Sequence, residues 1–263
     1  MEVSIQEVIA FLTGPVGCVE DTVDTLKFGT ADSLVTGIAV SFMPTYTVIK
    51  QALDKGANLL ITHEGTFFSH WDKNELGENH IIKEKERLIE ESGIAIFRLH
   101  DYIHKYEPDG ITKGLIQSLE WEEFVEENLP VATILNIPAK TVQEVADYVK
   151  NKLQIEFVRS VGNKEMIVNR VGVLAGYRGG GATAIPIMEE YQLDLVIYGE
   201  GPEWETPEYV RDAIAQGRNK SILVLGHAES EEPGMKYLAQ YIQKNFSSVP
   251  IHFIPTAPLF NAL

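Results

Sequence analysis

The sequence predicts an α/β fold made of two similar lobes. Three observations lead to this fold class: strand-like apolar runs alternate with amphipathic helical segments, the alternation starts again after an acidic stretch, and 44% of the 263 residues are hydrophobic. The alternation is the βαβ rhythm of a layered fold with largely parallel sheets. The length and composition allow a sizeable core in one large domain or in two closely related lobes.

The first half of the chain opens with an amphipathic helix. Its apolar residues, within 4–14, recur at helical spacing and stop at Gly14. Apolar runs bounded by turn residues then alternate with segments of helical periodicity. The predicted strands cover 34–42, 58–63 and 94–100, and the predicted helices cover 45–56 and 79–93.

The acidic stretch "EWEEFVEEN", residues 120–128, is predicted to join the two lobes. The lobes then comprise 1–128 and 129–263, and an arrangement in which 221–263 packs back toward the first lobe stays open. The same alternation resumes after this junction. The predicted strands cover 131–137, 155–162, 169–177, 193–200, 221–227 and 249–255, and the predicted helices cover 141–153, 183–192, 206–217 and 232–246.

The charge and the cysteine usage exclude several classes of function. A formal net charge of -16 repels phosphate backbones and anionic lipid, so we expect neither nucleic-acid binding nor membrane binding. Cys18 is the one cysteine, so no intrachain disulfide can form, which suits a cytoplasmic protein. The N-terminal stretch lacks the basic and apolar regions of a signal peptide, and no run of about 18 apolar residues occurs.

Histidines and carboxylates cluster where predicted strands end. Ligands of open α/β sheets bind beyond the carboxyl ends of the strands. A single histidine at such a place is usually a structural hydrogen-bonding group, but four of the seven histidines here follow the ends of three strands, which indicates a metal site. The residues concerned are His63 and Glu64, His100, Asp101 and His104, Glu200, and His227 with Glu231.

The spacing of His227 and Glu231 supports shared coordination. Residues four apart lie on one face of a helix, so both side chains can reach one ion if a helix begins at this point. The alternative is an ordinary helix N-terminus, where Ser230, Glu231 and Glu232 supply capping groups and charge. That alternative explains His227 less well, because a cationic histidine is disfavoured at a helix N-terminus.

His100 and His104 are also four apart. Pro108 and Gly110 follow closely, so these two histidines are predicted to lie on a loop after the strand, where the spacing alone is a weak signal.

The glycine-rich segment "GYRGGGATA", residues 176–184, lies between a predicted strand and a predicted helix. Backbone N–H groups at a helix N-terminus can bind an anion, and Arg178 adds a positive charge, so a phosphate-bearing substrate could dock there. The alternative is a tight turn that allows the helix to approach the sheet closely. The spacing matches neither a P-loop nor a dinucleotide-binding fingerprint.

Five segments carry a resemblance to a known family: "ANLLITHEG", "HDYIH", "AGYRGGGAT", "VIYGE" and "GHAESE". In this order they match a strand ending in paired histidines, an "HTNLD" segment, a glycine-rich turn, a "TGE" segment and a "GHxxxE" segment. The chain thus resembles the Ngg1-interacting-factor-like family of dinuclear-metal toroidal proteins, some of which are labelled GTP cyclohydrolase I type 2 homologue.

The resemblance implies two α/β/α sandwich lobes, with a metal site in the cleft between them, and a homohexameric ring. The family's metal ligands correspond here to His63, Glu64, His104, His227 and Glu231. Two of these depart from the family pattern, since Glu64 stands where the family has a second histidine and His104 stands where it has a carboxylate. Asp101 is an alternative to His104.

Three histidines and two carboxylates suit one or two divalent ions of Zn, Mn, Fe, Co or Ni better than Mg or Ca. Such ions activate water, which predicts a metal-dependent hydrolase of a small substrate. The cyclohydrolase label of the family implies that this substrate is nucleotide-like or phosphorylated. Glu200 and His100 are the candidate acid–base residues. The alternative is a non-catalytic ring protein that binds metal or another protein.

Overall fold

The computed structural model of the protein describes residues 2–71, 77 and 79–262. The chain divides into two compact units. Unit 1 comprises Met1–Gly110 and Met235–Ala257, and unit 2 comprises Ile111–Gly234 and Pro258–Leu263. The predicted α/β class is confirmed, because both units combine helices with a sheet.

The elements are numbered in chain order. The strands are β1 (Leu26–Phe28), β2 (Ile38–Ser41), β3 (Leu59–Thr62), β4 (Ala95–Arg98), β5 (Val125–Asn128), β6 (Thr133–Thr141), β7 (Arg159–Val161), β8 (Ile167–Leu174), β9 (Leu195–Tyr198), β10 (Ser221–Val224) and β11 (Ile251–Phe253). The helices are α1 (Ile5–Thr13), α2 (Tyr46–Asp54), α3 (His80–Ser92), α4 (Asp101–His104), α5 (Gly110–Ser118), α6 (Val142–Leu153), α7 (Gly181–Glu190), α8 (Thr206–Ala215) and α9 (His227–Asn245), and Glu122–Phe124 form a 3₁₀ turn.

Unit 1 contains a sheet with the strand order β1-β4-β3-β2-β11. Strands β11, β2, β3 and β4 run parallel, and the edge strand β1 runs antiparallel to β4. All residues of β2, β3 and β4 are buried, as expected for parallel strands that are covered on both faces. Ala39, Leu60 and Ile96 share a core with apolar residues of α2 and α3.

Unit 2 contains a six-stranded sheet with the order β5-β6-β8-β9-β10-β7. Its parallel centre consists of β8, β9 and β10, while β5, β6 and β7 pair antiparallel with their neighbours. Leu174, Val196 and Ile222 face a core that contains Ala184 and Met188 of α7. The sequence predicts a largely parallel sheet, but three of the five strand pairings among the described residues of unit 2 are antiparallel.

The two units differ from the predicted lobes in their boundaries. The predicted junction is a structured part of unit 2, because β5 pairs with β6. The chain returns to unit 1 at Met235, where β11 later pairs with β2. Residues 221–234 stay in unit 2, because β10 pairs with β9.

The prediction of a loop at His100–His104 is wrong, because α4 forms one helical turn there. The final helix also begins earlier than predicted, at His227, and contains Pro233. Among the described residues, no helix combines the length and the apolar character that crossing a membrane requires.

Candidate metal centre

Three imidazoles of unit 1 lie together beyond the ends of β3 and β4. His63 follows β3 directly, His100 lies just after β4, and His104 ends α4. One ring nitrogen from each histidine lies within 4.8 Å of the others. The His63 ring stacks on His100 with centroids 4.4 Å apart, and the His104 ring lies edge-on to both, at 5.0 and 5.1 Å. Three nitrogens at this separation are a donor set for one transition-metal ion.

Hydrogen bonds at Nδ1 select the tautomer of His63 and of His104. His63 Nδ1 lies 3.2 Å from the carbonyl oxygen of Leu99, and His104 Nδ1 lies 2.9 Å from Oδ2 of the buried Asp109. A carbonyl or carboxylate oxygen only accepts, so Nδ1 donates in both cases and Nε2 carries the lone pair. Metal-binding histidines are typically held this way by a carbonyl or carboxylate group.

Asp101 orients the third imidazole. Its Oδ1 accepts a hydrogen bond from His100 Nδ1 at 3.0 Å, and its Oδ2 accepts from Thr22 Oγ1 and the Val23 N–H. The hydrogen bond from His100 is the largest cause that holds the pKa of Asp101 well below its ordinary value. Partial burial acts in the opposite direction, and the hydrogen bonds from Thr22 and Val23 lower the pKa further. The stabilisation that Asp101 gives is therefore present above the ordinary carboxyl pKa and is lost as pH falls through its folded-state pKa.

A buried carboxylate, Asp24, fixes the backbone that carries His100 and His104. Asp24 Oδ1 accepts hydrogen bonds from the N–H groups of His100 (2.7 Å) and Asp101 (3.1 Å), and Oδ2 accepts from Tyr102 (2.9 Å). These three N–H groups lie at the N-terminus of α4 and have no partner within so short a helix. Asp24 therefore stabilises the helical turn that places His104 beside His63.

We expect Asp24→Asn to lower the free energy of unfolding by about 1–3 kcal/mol, because the amide has one acceptor oxygen and its NH₂ group faces N–H donors. Zinc affinity should fall as well, since α4 carries His104. Urea unfolding and zinc titration measure the two effects. The exposed Asp32 of unit 1 is the control, and Asp32→Asn should change stability by less than about 0.5 kcal/mol. Equal behaviour of the two variants would contradict the role given to Asp24.

Arg98, the last residue of β4, is a buried cation with 1% of its side chain exposed. Its Nε donates to the carbonyl oxygen of His63 at 3.1 Å, and its Nη1 donates to that of His70 at 2.5 Å. Its Nη2 lies 3.3 Å from Glu64 Oε2 and 3.2 Å from His70 Nδ1. Arg98 therefore ties the loop after β3 to β4 and balances the charge of Glu64.

In unit 2, His227 lies between two carboxylates. Its Nδ1 is 3.0 Å from Oε2 of Glu200, which follows β9, and its Nε2 is 3.0 Å from Oε2 of Glu231, one turn along α9. Glu231 is buried, whereas half of the Glu200 side chain is exposed. The i, i+4 relation expected from the sequence thus brings one imidazole nitrogen and one carboxylate together.

Gly176 provides the space for the Glu231 carboxylate. Its φ is +72°, a backbone conformation that favours glycine, and a Cβ atom at this position would overlap the carboxylate. Ser230 fixes the same region, since its Oγ accepts from the Gly176 N–H at 2.9 Å and donates to the His227 carbonyl at 2.8 Å. The glycine-rich turn thus helps to position Glu231.

We expect Gly176→Ala to displace the Glu231 carboxylate, a predicted metal ligand, and so to lower the zinc affinity of the protein, in addition to straining the backbone. Gly217 is a matched control, because its φ is +77° and a Cβ there meets open space. Both variants should lose about 1 kcal/mol of stability from the backbone conformation, and Gly176→Ala should lose more. Thermal unfolding and zinc titration test this difference, and equal losses in both variants would count against it.

The N-terminus of α7 already binds a carboxylate from the same unit. The N–H of Gly181 donates to Glu205 Oε2 at 2.6 Å, and Arg178 Nη1 lies 3.3 Å from Thr112 Oγ1. Gly179 packs against the ring of Tyr198, where a side chain would collide. These contacts support the interpretation of the segment as a close-packed turn.

Comparison with known proteins decides the family. The family described as Duf34/NIF3 (NGG1p interacting factor 3) matches residues 21–258. The chain belongs to the Duf34/NIF3 family. This result agrees with the resemblance that its five sequence segments carry.

Curated relatives of this Duf34/NIF3 chain share the name "GTP cyclohydrolase 1 type 2 homolog". The Clostridium perfringens protein is 22% identical over 233 residues, which cover 85% of this chain and 84% of the relative. The Chlamydia pneumoniae protein is 25% identical over 240 residues, covering 89% and 90%. The matches therefore span most of both chains.

Solved structures show the same fold. A Staphylococcus aureus protein superposes with a TM-score of 0.77 at 16% identity, and the Bacillus cereus protein related to NIF3 superposes with 0.76 at 17% identity. Each comparison covers 99% of both chains. At these identities the likeness establishes the family fold alone.

The structure groups the predicted site residues in each unit. In unit 1, the predicted ligands His63 and His104 lie with His100, which the sequence suggested as an acid–base residue. Glu64 lies beside them and accepts from Arg98. In unit 2, His227, Glu231 and Glu200 lie together. Their roles, and a shared site in a cleft, stay predictions.

Sequence reasoning missed three residues that hold the site: Asp24, Arg98 and Asp109. Arg98 had a signal, because a charged residue inside an apolar strand needs buried partners. Asp109 had a weaker one, as a carboxylate five residues after a candidate ligand. Asp24 had none, because it lies 76 residues from the first N–H group that it binds.

Proposed function

We propose that the chain is a metal-dependent hydrolase of a small substrate. The observation that carries this proposal is the group of three imidazoles in unit 1, with each Nδ1 directed at a carbonyl or carboxylate oxygen. Nitrogen donors of this kind fit Zn, Mn, Fe, Co or Ni. The donor set therefore fits the divalent ion that the sequence predicts.

Some of these residues would bind the ion, and others hold the protons on the imidazole rings. In unit 1, His63, His100 and His104 would hold an ion, and in unit 2, His227 and Glu231 offer a second set of donor atoms. A divalent ion held by these residues would lower the pKa of a bound water and polarise a substrate oxygen. Asp101 and Asp109 keep the Nδ1 protons in place, so that Nε2 stays available.

Glu200 remains the acid–base candidate. Its carboxylate is half-exposed and lies 3.0 Å from His227 Nδ1, so it can exchange a proton with this imidazole and with solvent. His100 belongs to the group of three imidazoles, and we propose it as a ligand. The acid–base role that the sequence predicts for His100 is the alternative.

The name shared by the relatives makes GTP the first substrate to test. Hydrolytic opening of the guanine imidazole ring releases formate, so the assay measures formate from GTP with zinc-, manganese- or iron-loaded protein. We expect release that a His63→Ala, His104→Ala double variant loses and that the exposed-residue variant His80→Ala keeps. The hydrolase proposal is contradicted if the protein binds metal stoichiometrically but releases neither formate from GTP nor phosphate from nucleotide and phosphomonoester substrates. That result would favour a non-catalytic metal-binding protein.

The homohexameric ring implied by the family resemblance is a further proposal. Light scattering of the purified protein should give six times the chain mass of 29.4 kDa. A mass of one chain would contradict the ring.

A further inference from the structure

Unit 1 also contains an apolar pocket between α2, α3 and the segment after β3. Its volume is about 330 Å³, and its walls include Met43, Tyr46, Phe68, Ile81, Glu84 and Lys85. This volume lies within the range of small-molecule sites, which are mostly apolar and contain few polar groups. None of these residues belongs to the proposed metal centre.

Lys85 places a buried cation in this pocket. Its exposure is 3%, and its Nζ donates to the Thr66 carbonyl oxygen at 2.5 Å and lies 5.5 and 5.4 Å from the ring centroids of Phe67 and Phe68. Within the described part of the chain, no carboxylate forms an ion pair with it. Burial lowers the pKa of Lys85 to about 8, because a charged group loses hydration there.

The rim of the pocket is apolar and exposed. Phe68 is 54% exposed, Ile81 is 71% exposed and Tyr46 is 41% exposed. Phe68 also has φ +54°, a conformation that costs energy for a bulky residue and that recurs at ligand sites. An exposed apolar rim around a buried ammonium group complements a molecule that is apolar at one end and anionic at the other.

We propose that this pocket binds a small amphiphilic molecule, with its apolar body against Phe68, Tyr46 and Ile81 and a single anionic group paired with Lys85 Nζ. A carboxylate or sulfonate would supply the anion. This proposal is independent of metal binding and hydrolysis.

The pairing makes binding depend on pH. The anion stabilises the ammonium form, so it raises the pKa of Lys85 above the value of about 8 in the free protein. Affinity is therefore full below pH 8 and falls as pH rises through the pKa of the bound form. Among the residues that the structure describes, Glu84 is the other charged group that lines the pocket, and it pairs with Arg87 at 3.3 Å. Lys50 lies next to the wall, with its Nζ 5.9 Å from the centroid of the Tyr46 ring.

Two dyes with nearly the same apolar body test the proposal. The first, 8-anilinonaphthalene-1-sulfonate, carries one negative charge, and the second, N-phenyl-1-naphthylamine, is uncharged. Fluorescence titration at pH 7 should show one site per chain for both. Lys85→Met should lower the affinity for the charged dye by about 10-fold or more, the effect of losing one charge-assisted hydrogen bond. The affinity for the uncharged dye should stay the same.

Two further variants keep the test decisive. Lys83→Met removes an exposed charge from the same helix and should behave as the parent protein. Ile81→Asp adds a negative charge to the exposed rim and should lower the affinity for the charged dye. This variant keeps the test available if the thermal unfolding of Lys85→Met shows that Lys85→Met does not fold. The proposal is overturned if the parent protein binds neither dye, or if both Lys85→Met and Ile81→Asp bind the charged dye as tightly as the parent does. It is also overturned if dye binding disappears at protein concentrations at which the chain self-associates.

Discussion

Replacing His63 or His104 with alanine is expected to abolish the metal binding that we propose for unit 1. Each variant deletes one of three imidazoles whose ring nitrogens lie within 4.8 Å of one another. Loss of an outer partner of a metal-bound histidine typically costs about 10–100-fold in affinity, and loss of the ligand itself should cost at least as much. Zinc titration and elemental analysis of the purified variants measure the effect.

Asp109→Asn provides a graded comparison. The asparagine side-chain oxygen can still accept from His104 Nδ1, but the negative charge is lost, so zinc affinity should fall by less than in His104→Ala. His80→Ala, an exposed change at the start of α3, should leave affinity unchanged. Metal content that is equal in all four variants and the parent would show that these imidazoles do not bind the ion.

Arg98→Met is expected to cause a large loss of stability. The side chain is 1% exposed and donates to the carbonyl oxygens of His63 and His70. Its removal leaves Glu64 without this cation and two carbonyl groups without this donor. Breaking a buried charge pair of this kind costs about 3–5 kcal/mol. The midpoint of urea unfolding is the measurement.

Arg87→Met is the matched control for that variant. Arg87 pairs with Glu84 and Glu91 on the surface of α3, where 63% of its side chain is exposed. Exposed pairs contribute about 0–1 kcal/mol, so this variant should unfold almost as the parent does. A loss below about 1 kcal/mol in Arg98→Met would contradict the role of Arg98 as the support of the site.

The sequence predicted the parts of the fold that depend on local pattern. Apolar runs identified β2, β3 and β4, because strands buried on both sides contain few polar residues. The same runs placed His63 and His100 at strand ends, where ligands of parallel sheets bind. The order of the motifs identified the family, and the match over residues 21–258 agrees with it.

The missed features depend on contacts between distant residues. The turn α4 looked like a loop, since the Asp24 carboxylate that caps it lies 76 residues away from His100. The acidic stretch is predicted as a junction between lobes because Val125–Asn128 is a polar edge strand. Its only strand partner among the described residues is β6. The departure of the chain from unit 2 at Met235 depends on the pairing of β11 with β2, which local sequence does not reveal.

Anomalous diffraction from crystals of the zinc-loaded protein would locate the metal ion that we propose for unit 1. The structure predicts a peak coordinated by Nε2 of His63, His100 and His104, because their Nδ1 atoms are directed at Leu99, Asp101 and Asp109. Zinc bound through the Nδ1 atoms, or no peak beside these three imidazoles at full zinc loading, would contradict this metal centre.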